Sequence, residues 1–389
     1  MVKLKHPIQR SHYIEKIEFL FQINPVVAIL GPRQCGKTTL ARLYADRQKE
    51  NNAIHWFDLE NPDNLAGLEA PMLALQELRG LIVIDEIQKR PDLFKALRVL
   101  VDQQRGHQHY LILGSASRDL IQQSSETLAG RISYMELNPF SYPEVDNLNR
   151  LWIRGGFPES YLSLTNENSW EWRKSYISTF LERDIPNLGI QVPPQTLRRF
   201  WMMLAHYHGH IFNSSDIGKS LGVAHTTARH YLDILTGTFM IRELPPWLEN
   251  IDKRQIKSPK IYFRDSGIYH YLLNVMNVDA LYNNPKLGAS WEGFAIEEII
   301  RHYNGEMGEI YFWGIHNQGE LDLLIIKDGK RLGFEFKYTD RPAMTKSMNM
   351  AIDYLQLDTV IIIYPGKGNF PLTEKIRAVG LKNFLDQAY

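Results

Sequence analysis

The order of apolar and polar residues divides the chain into three regions. In the first region, short apolar runs alternate with stretches that repeat apolar residues at helical spacing. This alternation predicts a parallel β-sheet with helices on both faces, preceded by a short amphipathic helix at 12–22. The predicted strands are 26–30, 53–58, 81–85, 109–113 and about 132–137, and the helices between them are 38–46, 64–78 and 92–104.

The second region is helical and contains a pattern typical of a winged helix-turn-helix at residues 195–245. A short helix at 216–221 is followed by a tight turn at Gly222, a predicted recognition helix at 225–235 and a wing strand at 239–244. A helix in this position can meet phosphates or base edges, but a structural or protein-contacting module has the same pattern. The candidate nucleic-acid contacts are Thr226, Thr227, Arg229 and His230.

Directly after the first predicted strand stands GPRQCGKTT, which matches the pattern G-x-x-x-x-G-K-[ST]. Its glycines let backbone N–H groups turn towards a polyphosphate, and the following helix directs the positive end of its dipole at the same anion. The lysine would reach the β and γ phosphates, and the first threonine would hold Mg²⁺. The predicted nucleotide contacts are Gly31, Pro32, Arg33, Gln34, Cys35, Gly36, Lys37, Thr38 and Thr39.

Two acidic residues, Asp85 and Glu86, end the third predicted strand, where the carboxyl ends of parallel strands face a ligand crevice. We expect Asp85 to hold Mg²⁺ and Glu86 to orient or deprotonate an attacking water, which favours ATP hydrolysis over binding alone. Ser115 or Ser117, after the fourth strand, is placed to bond the γ phosphate or this water; a helix N-cap at Ser117 is the alternative.

An arginine near the end of the first region is a candidate for stabilising phosphoryl charge. The planar guanidinium stays charged and binds oxygens bidentately. We therefore predict Arg131 as an arginine finger, acting in cis or from a neighbouring subunit. A surface salt bridge is the alternative.

Composition excludes several classes of protein. The 389 residues suffice for two or three domains, and 44 basic against 44 acidic residues give no net charge that would indicate a nucleic-acid binder. No run approaches the roughly 18 apolar residues that cross a membrane, and no signal peptide is evident. A single cysteine excludes an intrachain disulfide and favours a reducing, cytoplasmic location.

The third region ends in a predicted hairpin whose polar residues suggest a second site. Glu335 and Lys337 share one face of a strand, and the neighbouring strand brings Asp322 near them. Asp-…-Glu-x-Lys is the pattern of a metal-dependent nuclease, with Glu292 on a preceding helix as a further ligand. A solvated hairpin face with an ion pair is the alternative.

Together these motifs resemble a family of prokaryotic AAA-type ATPases that carry a C-terminal domain of unknown function with a winged helix and a restriction-endonuclease-like fold. The matching segments are GPRQCGKTTL, LIVIDEIQK, LILGSAS, LAGRI, ELNPFSYPE, GGFPE, FLERDI, KIYFRDSGI, ELDLLI and GFEFKY. The resemblance implies that Lys37 and Thr38 bind phosphates and Mg²⁺, and that Asp85 and Glu86 serve Mg²⁺ and hydrolysis. No separate helical lid with an obvious sensor arginine follows the sheet, unlike in well-studied AAA proteins.

The expected fold class is α/β, with a P-loop NTPase parallel sheet, then a winged helix-turn-helix and a restriction-endonuclease-like α/β domain. The expected parts are an N-terminal helix at 1–22, an ATPase domain at 23–145, a helical linker at 146–192, a winged helix at 193–250 and a nuclease-like domain at 251–389.

Three functions remain open from the sequence. The first is an ATPase with ATP and Mg²⁺ as cofactors that acts on DNA or RNA. The second is a nucleotide-controlled switch that binds a protein partner and has an inert C-terminal domain. The third is an ATP-regulated, metal-dependent nuclease. We expect no membrane partner, and a finger supplied in trans would make the protein a homo-oligomer.

Overall fold

The computed structural model describes residues 7–50, 52–103, 106–115, 124, 126–248, 256–316 and 318–387. It forms two compact units: the first comprises Met1–Pro139 with Gly237–Phe239, and the second comprises Phe140–Thr236 with Met240–Tyr389. Ser117, one of the two serine candidates, lies outside the described residues. No helix within the described ranges is long and apolar enough to cross a bilayer.

The first unit is built on a five-stranded parallel sheet, which confirms the α/β fold expected from the alternating pattern. Its strand order is β2-β3-β4-β1-β5. The strands are β1 (Val26–Leu30), β2 (Ile54–Asp58), β3 (Gly80–Asp85), β4 (Gln108–Gly114) and β5 (Ile132–Glu136). The helices are α1 (Ser11–Ile23), α2 (Lys37–Gln48), α3 (Pro62–Gly67), α4 (Pro71–Leu75) and α5 (Leu93–Gln103).

Burial explains why the central strands read as continuous apolar runs. All five residues of β1 are buried, because helices cover both faces of a parallel sheet. Alternate residues of β1 enter different cores: Val26 and Ala28 pack on one face, and Val27 and Ile29 pack on the other. One prediction was wrong: the helix expected at 64–78 is two short helices, since Pro71 has no N–H to donate and starts a new helix.

The helical part of the second unit begins at residue 142. Three of its helices follow the order expected for a helix-turn-helix, and Gly222 ends the second of these with φ 76°. A π-helical turn, Phe180–Asp184, directly follows the helix that ends at Thr179. The helices are α6 (Tyr142–Val145), α7 (Leu148–Arg154), α8 (Pro158–Tyr161), α9 (Asn166–Thr179), α10 (Ile185–Asn187), α11 (Pro194–His206), α12 (Ser214–Leu221), α13 (His225–Gly237), α14 (Ser266–Leu272), α15 (Val278–Tyr282), α16 (Leu287–His302), α17 (Lys346–Leu355) and α18 (Leu381–Leu385).

A six-stranded mixed sheet forms the C-terminal part of the second unit. Its order is β12-β13-β11-β10-β9-β8, and β6 pairs separately with β7. The predicted hairpin is present: β9 and β10 are antiparallel, and Asp328 and Gly329 both have positive φ at the turn. The strands are β6 (Ile241–Leu244), β7 (Lys260–Phe263), β8 (Ile310–Ile315), β9 (Gly319–Lys327), β10 (Lys330–Phe336), β11 (Thr359–Tyr364), β12 (Asn369–Pro371) and β13 (Ile376–Gly380).

Candidate nucleotide site and C-terminal cluster

The phosphate-loop sequence forms a tight bend between β1 and α2. Gln34 has φ 62° and Gly36 has φ 100°, so the chain turns through two left-handed positions before the helix begins at Lys37. The Lys37 side chain lies back over the loop, where its ammonium group donates to the carbonyl oxygens of Gly31 (3.0 Å) and Pro32 (2.8 Å). A buried cation is therefore enclosed by the loop.

The surroundings of Lys37 fit a polyphosphate. Its side chain is only 7% exposed, yet no carboxylate in the described part of the chain lies within ion-pairing distance of its ammonium group. Two neutral carbonyl acceptors leave most of the charge uncompensated, and an ammonium group has three donors. An anion entering the bend would supply the missing charge.

Thr38 and Asp85 bring two oxygen ligands together at the carboxyl edge of the sheet. The Thr38 hydroxyl donates to Oδ2 of Asp85 at 2.8 Å. Burial raises the pKa of Asp85 to about 6, and the Glu86 carboxylate adds to this effect, although the bond from Thr38 opposes it. A hydroxyl beside a buried carboxylate is a donor set that suits Mg²⁺, which prefers oxygen ligands and keeps several waters. The residues present therefore fit Mg²⁺ with a nucleotide.

Glu86 lies at a bend directly after β3. Its φ of 57° places it in the left-handed region, and its N–H donates to Oδ1 of Asp85 at 2.9 Å. Its carboxylate accepts a hydrogen bond from the Gln88 amide and lies 3.8 Å from a guanidinium nitrogen of Arg33. The structure thus orients Glu86 with two side chains, one of which belongs to the phosphate loop.

Three polar residues at this edge, Asp58, Glu60 and Gln88, were not among the predicted site residues. Arg33 forms an ion pair with Glu60 at 2.8 Å, and Asp58 at the end of β2 is the register partner of Asp85. Gln88 holds the Glu86 carboxylate. The sequence did contain a signal for Asp58 and Glu60, because Asp58 ends and Glu60 closely follows a predicted strand whose carboxyl end must meet the same edge of the sheet.

Cys35 is fully buried beneath the loop. Its thiol points at the Leu137 carbonyl oxygen, 3.4 Å away, and burial raises its pKa despite the nearby Lys37 and Arg10 charges. The Arg10 guanidinium donates to the carbonyl oxygens of Cys35 (3.1 Å) and Asn138 (2.8 Å). Arg10 thus joins the phosphate loop to Asn138, two residues after the end of β5.

Ser115 and Arg131 lie at opposite ends of the strands. Gly114 is the register partner of Leu30, so the buried Ser115 lies at the edge that carries the phosphate loop. Arg131 precedes β5 at the amino edge, and its guanidinium is held by Asp102 at 2.8 Å. This corrects the cis interpretation of Arg131, because parallel pairing puts it at the far end of the strands. A role in trans stays a prediction.

On α13, the candidate nucleic-acid contacts differ in their surroundings. Thr226 and His230 are exposed and Thr227 is half-buried. The Arg229 guanidinium donates to both carboxylate oxygens of Glu243 (2.6 and 2.7 Å) and to Asp233 (2.7 Å). Two acids already neutralise Arg229, so it does not fit the predicted role of a phosphate contact.

The four C-terminal candidates do come together, and two further residues join them. We call this group the C-terminal acid–lysine cluster; it consists of Lys260, Glu292, Glu320, Asp322, Glu335 and Lys337. The Lys337 ammonium group lies 2.8 Å from Oε2 of Glu335 and 3.7 Å from Oδ2 of Asp322. Lys260 enters from β7, with its ammonium group 3.9 Å from Oδ1 of Asp322 and in contact with Glu320.

Electrostatics in this cluster are dominated by burial and by mutual repulsion of the acids. Burial, and then the Asp322 carboxylate, raise the pKa of Glu335 to about 8 and that of Glu292 to about 7. Tyr262 donates to Oε1 of Glu292 at 2.7 Å. Among the described residues, no group of three or more His, Cys, Asp or Glu side chains is arranged to hold a metal ion. The cluster therefore does not fit the Mg²⁺ expected from the sequence.

The first unit thus has the fold and the phosphate loop of an AAA-type P-loop protein. Residues 23–146 match the family described as an AAA domain. Residues 145–279 and 287–384 match two domains of unknown function, DUF8612 and DUF4143. The recognised AAA domain with a C-terminal domain of unknown function agrees with the resemblance found in the sequence.

Two relatives that match most of this chain establish its family. The uncharacterized proteins Mb2031c of Mycobacterium bovis and Rv2008c of Mycobacterium tuberculosis are each 48% identical over 374 residues, which is 96% of this chain and 83% of each relative. The chain belongs to the family of these two mycobacterial proteins.

Two solved structures are more distantly similar. The Walker-type ATPase PABY2304 of Pyrococcus abyssi is 14% identical with a TM-score of 0.48, over 69% of this chain and 96% of that one. AMPPCP-bound DnaA from Aquifex aeolicus is also 14% identical, with a TM-score of 0.29 over 60% of this chain and 89% of that one.

Proposed function

We propose that the protein is an Mg²⁺-dependent ATPase. The observation that carries this proposal is the Thr38–Asp85 contact beside the enclosed Lys37 ammonium group, with Glu86 next in the chain. A binding site alone needs the loop and the cation. The buried acid pair at the end of β3 is what hydrolysis adds, because one acid can hold a metal and the other can act on water.

Each residue then has one role. Lys37 and the loop N–H groups bind the phosphates. Ser115, at the same end of the sheet, bonds the γ phosphate or the attacking water. Thr38 and Asp85 would hold Mg²⁺, which neutralises phosphate charge when bound. Glu86 orients the attacking water and accepts its proton. Arg131 can act only from a neighbouring subunit, so we propose a homo-oligomer if an arginine finger of this chain contributes.

The experiment that tests this proposal is phosphate release from ATP by the full chain with Mg²⁺. We expect turnover in the native protein and none in Lys37→Ala. Lys49→Ala is a matched control, because Lys49 is an exposed lysine at the end of the same helix and forms an ion pair with Asp46 on the surface. Equal turnover in Lys37→Ala and the native chain would show that the loop is not the site.

For the partner, we propose a nucleic acid bound by a winged helix. The helix order α11–α12–α13 and the exposed Thr226 and His230 support this, while the neutralised Arg229 weakens electrostatic attraction. The competing function is a nucleotide-controlled switch that binds a protein. Stimulation of ATP turnover by DNA or RNA, lost as salt rises, would support the first; no salt-sensitive binding of either would support the second.

Nuclease chemistry is not part of the proposal. A restriction-endonuclease-like fold remains our interpretation of the domain that carries β8–β13. Its acids, however, contact lysine ammonium groups, and among the described residues no three His, Cys, Asp or Glu side chains are arranged to hold a metal ion. Mg²⁺-dependent cleavage of DNA or RNA that Asp322→Asn abolishes would restore the nuclease hypothesis.

A further inference from the structure

The segment KIYFRDSGI carries part of the family resemblance, yet the proposed ATPase leaves it without a role. It begins with Lys260, the first residue of β7, whose side chain is only 5% exposed. Lysine is rarely buried so completely unless it is paired. The partners of Lys260 therefore indicate what this segment does.

Asp322 lies between two lysines. The Lys260 ammonium group faces its Oδ1 at 3.9 Å, and the Lys337 ammonium group faces its Oδ2 at 3.7 Å. The Phe336 N–H donates to the same Oδ2 at 3.1 Å. Every oxygen of the central carboxylate thus already faces a positive or donating group.

Lys337 and Lys260 differ in how easily their side chains can move away from Asp322. The Lys337 side chain is 40% exposed and can turn into solvent, whereas Lys260 is enclosed by Glu320, Asp322 and the ring of Phe312. Mg²⁺ would need carboxylate oxygens at about 2.0–2.1 Å. A fixed ammonium group on the same carboxylate repels a divalent cation at that distance.

We propose that Lys260 fills the position of a divalent cation in the C-terminal acid–lysine cluster, so that the native chain binds neither Mg²⁺ nor Mn²⁺ there. The cluster is then held together by lysine. Three acids, Glu292, Asp322 and Glu335, meet within it, and loss of Lys260 leaves their charge insufficiently compensated. A divalent cation could replace the lost charge.

The test is rescue by Mn²⁺ of the nucleotide-free full chain. The variant Lys260→Met keeps most of the side-chain volume and removes the ammonium group, and Lys330→Met, an exposed lysine on β10, is the matched control. Thermal unfolding is followed in EDTA and in Mn²⁺, and Mn²⁺ binding is measured by electron paramagnetic resonance. Asp322→Asn separates this cluster from metal bound at Thr38 and Asp85.

We expect Lys260→Met to unfold at a lower temperature than the native chain in EDTA and to recover in Mn²⁺. We also expect it to bind Mn²⁺ about tenfold or more tightly, an effect that the added Asp322→Asn change removes. The native chain and Lys330→Met should show neither response.

Two results would overturn the proposal. One is Mn²⁺ binding by the native chain that Asp322→Asn abolishes, since the cation would then coexist with Lys260. The other is Lys260→Met that gains no Mn²⁺ binding or stabilisation. If Lys260→Met does not fold in either buffer, the double variant Lys260→Met/Glu320→Gln, which removes an acid with the lysine, is measured in the same way. ATP turnover is not a readout, so the outcome is independent of the proposed ATPase.

Discussion

The hydroxyl of Thr38 donates a 2.8 Å hydrogen bond to the carboxylate of Asp85. These residues are 47 positions apart in the chain, and the parallel order of β1, β4 and β3 brings them to one edge. The contact joins the start of α2 to the end of β3. It places two oxygen ligands where a metal and a nucleotide would meet.

Replacing Glu86 with glutamine separates binding from hydrolysis. The amide keeps the size and the hydrogen-bonding partner of the side chain but cannot accept a proton from water. We expect nucleotide affinity to change little and turnover to fall by about 10²–10⁴-fold. Binding of a fluorescent ATP analogue and phosphate release measure the two effects, with Glu77→Gln, an exposed acid, as the control. Loss of affinity in step with turnover would contradict this role.

The buried Asp85 predicts a pH dependence of stability in the nucleotide-free protein. Its pKa is raised from 3.8 to about 6, so the folded state holds a proton more tightly than the unfolded state. The protonated Asp85 therefore adds to the free energy of unfolding below about pH 4, and this stabilisation is lost as the pH rises through about 6. We expect Asp85→Asn to remove this loss and to be more stable above pH 7 by up to about 3 kcal/mol.

Urea unfolding at pH 4 to 8 measures this effect. The gain in Asp85→Asn should shrink towards acid pH, and Asp63→Asn, at an exposed site, should show no such trend. A constant difference between Asp85→Asn and the native chain at all pH values would mean that the charge of Asp85 is not its cause.

Cys35 should be inert in the folded protein. It is the chain's one cysteine, it has no exposed surface, and burial raises its pKa, so thiolate is scarce and shielded. We expect Ellman's reagent to label one thiol per chain in urea and to react roughly 10²-fold more slowly without it. Rapid labelling of the folded chain would instead support a redox-sensitive thiol in the loop.

The Arg229–Glu243 pair should contribute to stability through a measurable coupling. Both carboxylate oxygens of Glu243 accept from this guanidinium, but the arginine is more than one-third exposed, so solvent screens the pair. A double-mutant cycle with Arg229→Met and Glu243→Gln should give about 1 kcal/mol of coupling in the free energy of unfolding. A coupling near zero would leave Arg229 available for phosphates after all.

The sequence predicts the parallel sheet well, and the loop after β1 forms the tight bend that its motif implies. β1 occupies the predicted residues, and the loop, Thr38 and the acids after β3 are local patterns with strict spacing. The contacts of Glu86 with Arg33 and Gln88, and of Arg33 with Glu60, were missed because they depend on side-chain directions rather than on spacing.

Long-range pairing explains the remaining differences. Lys260 joins Asp322 from a strand that precedes it by 62 residues, and nothing in the local pattern of KIYF indicates that contact. Arg131 was expected at the nucleotide because a guanidinium stabilises phosphoryl charge, but the direction of β5 puts it at the amino ends of the strands. Pro71 could have predicted the break between the two short helices, because a proline in the middle of a predicted helix is a stop signal.

One close approach constrains how this protein can be altered. A Cβ added to Gly31 would stand 2.3 Å from the Leu137 carbonyl oxygen, and the next residue's carbonyl is held by Arg10. The turn after β5 thus packs closely against the phosphate loop and restricts the position of Gly31. Substitutions in that turn, well outside the phosphate-loop motif, would displace Gly31 and change the shape of the loop.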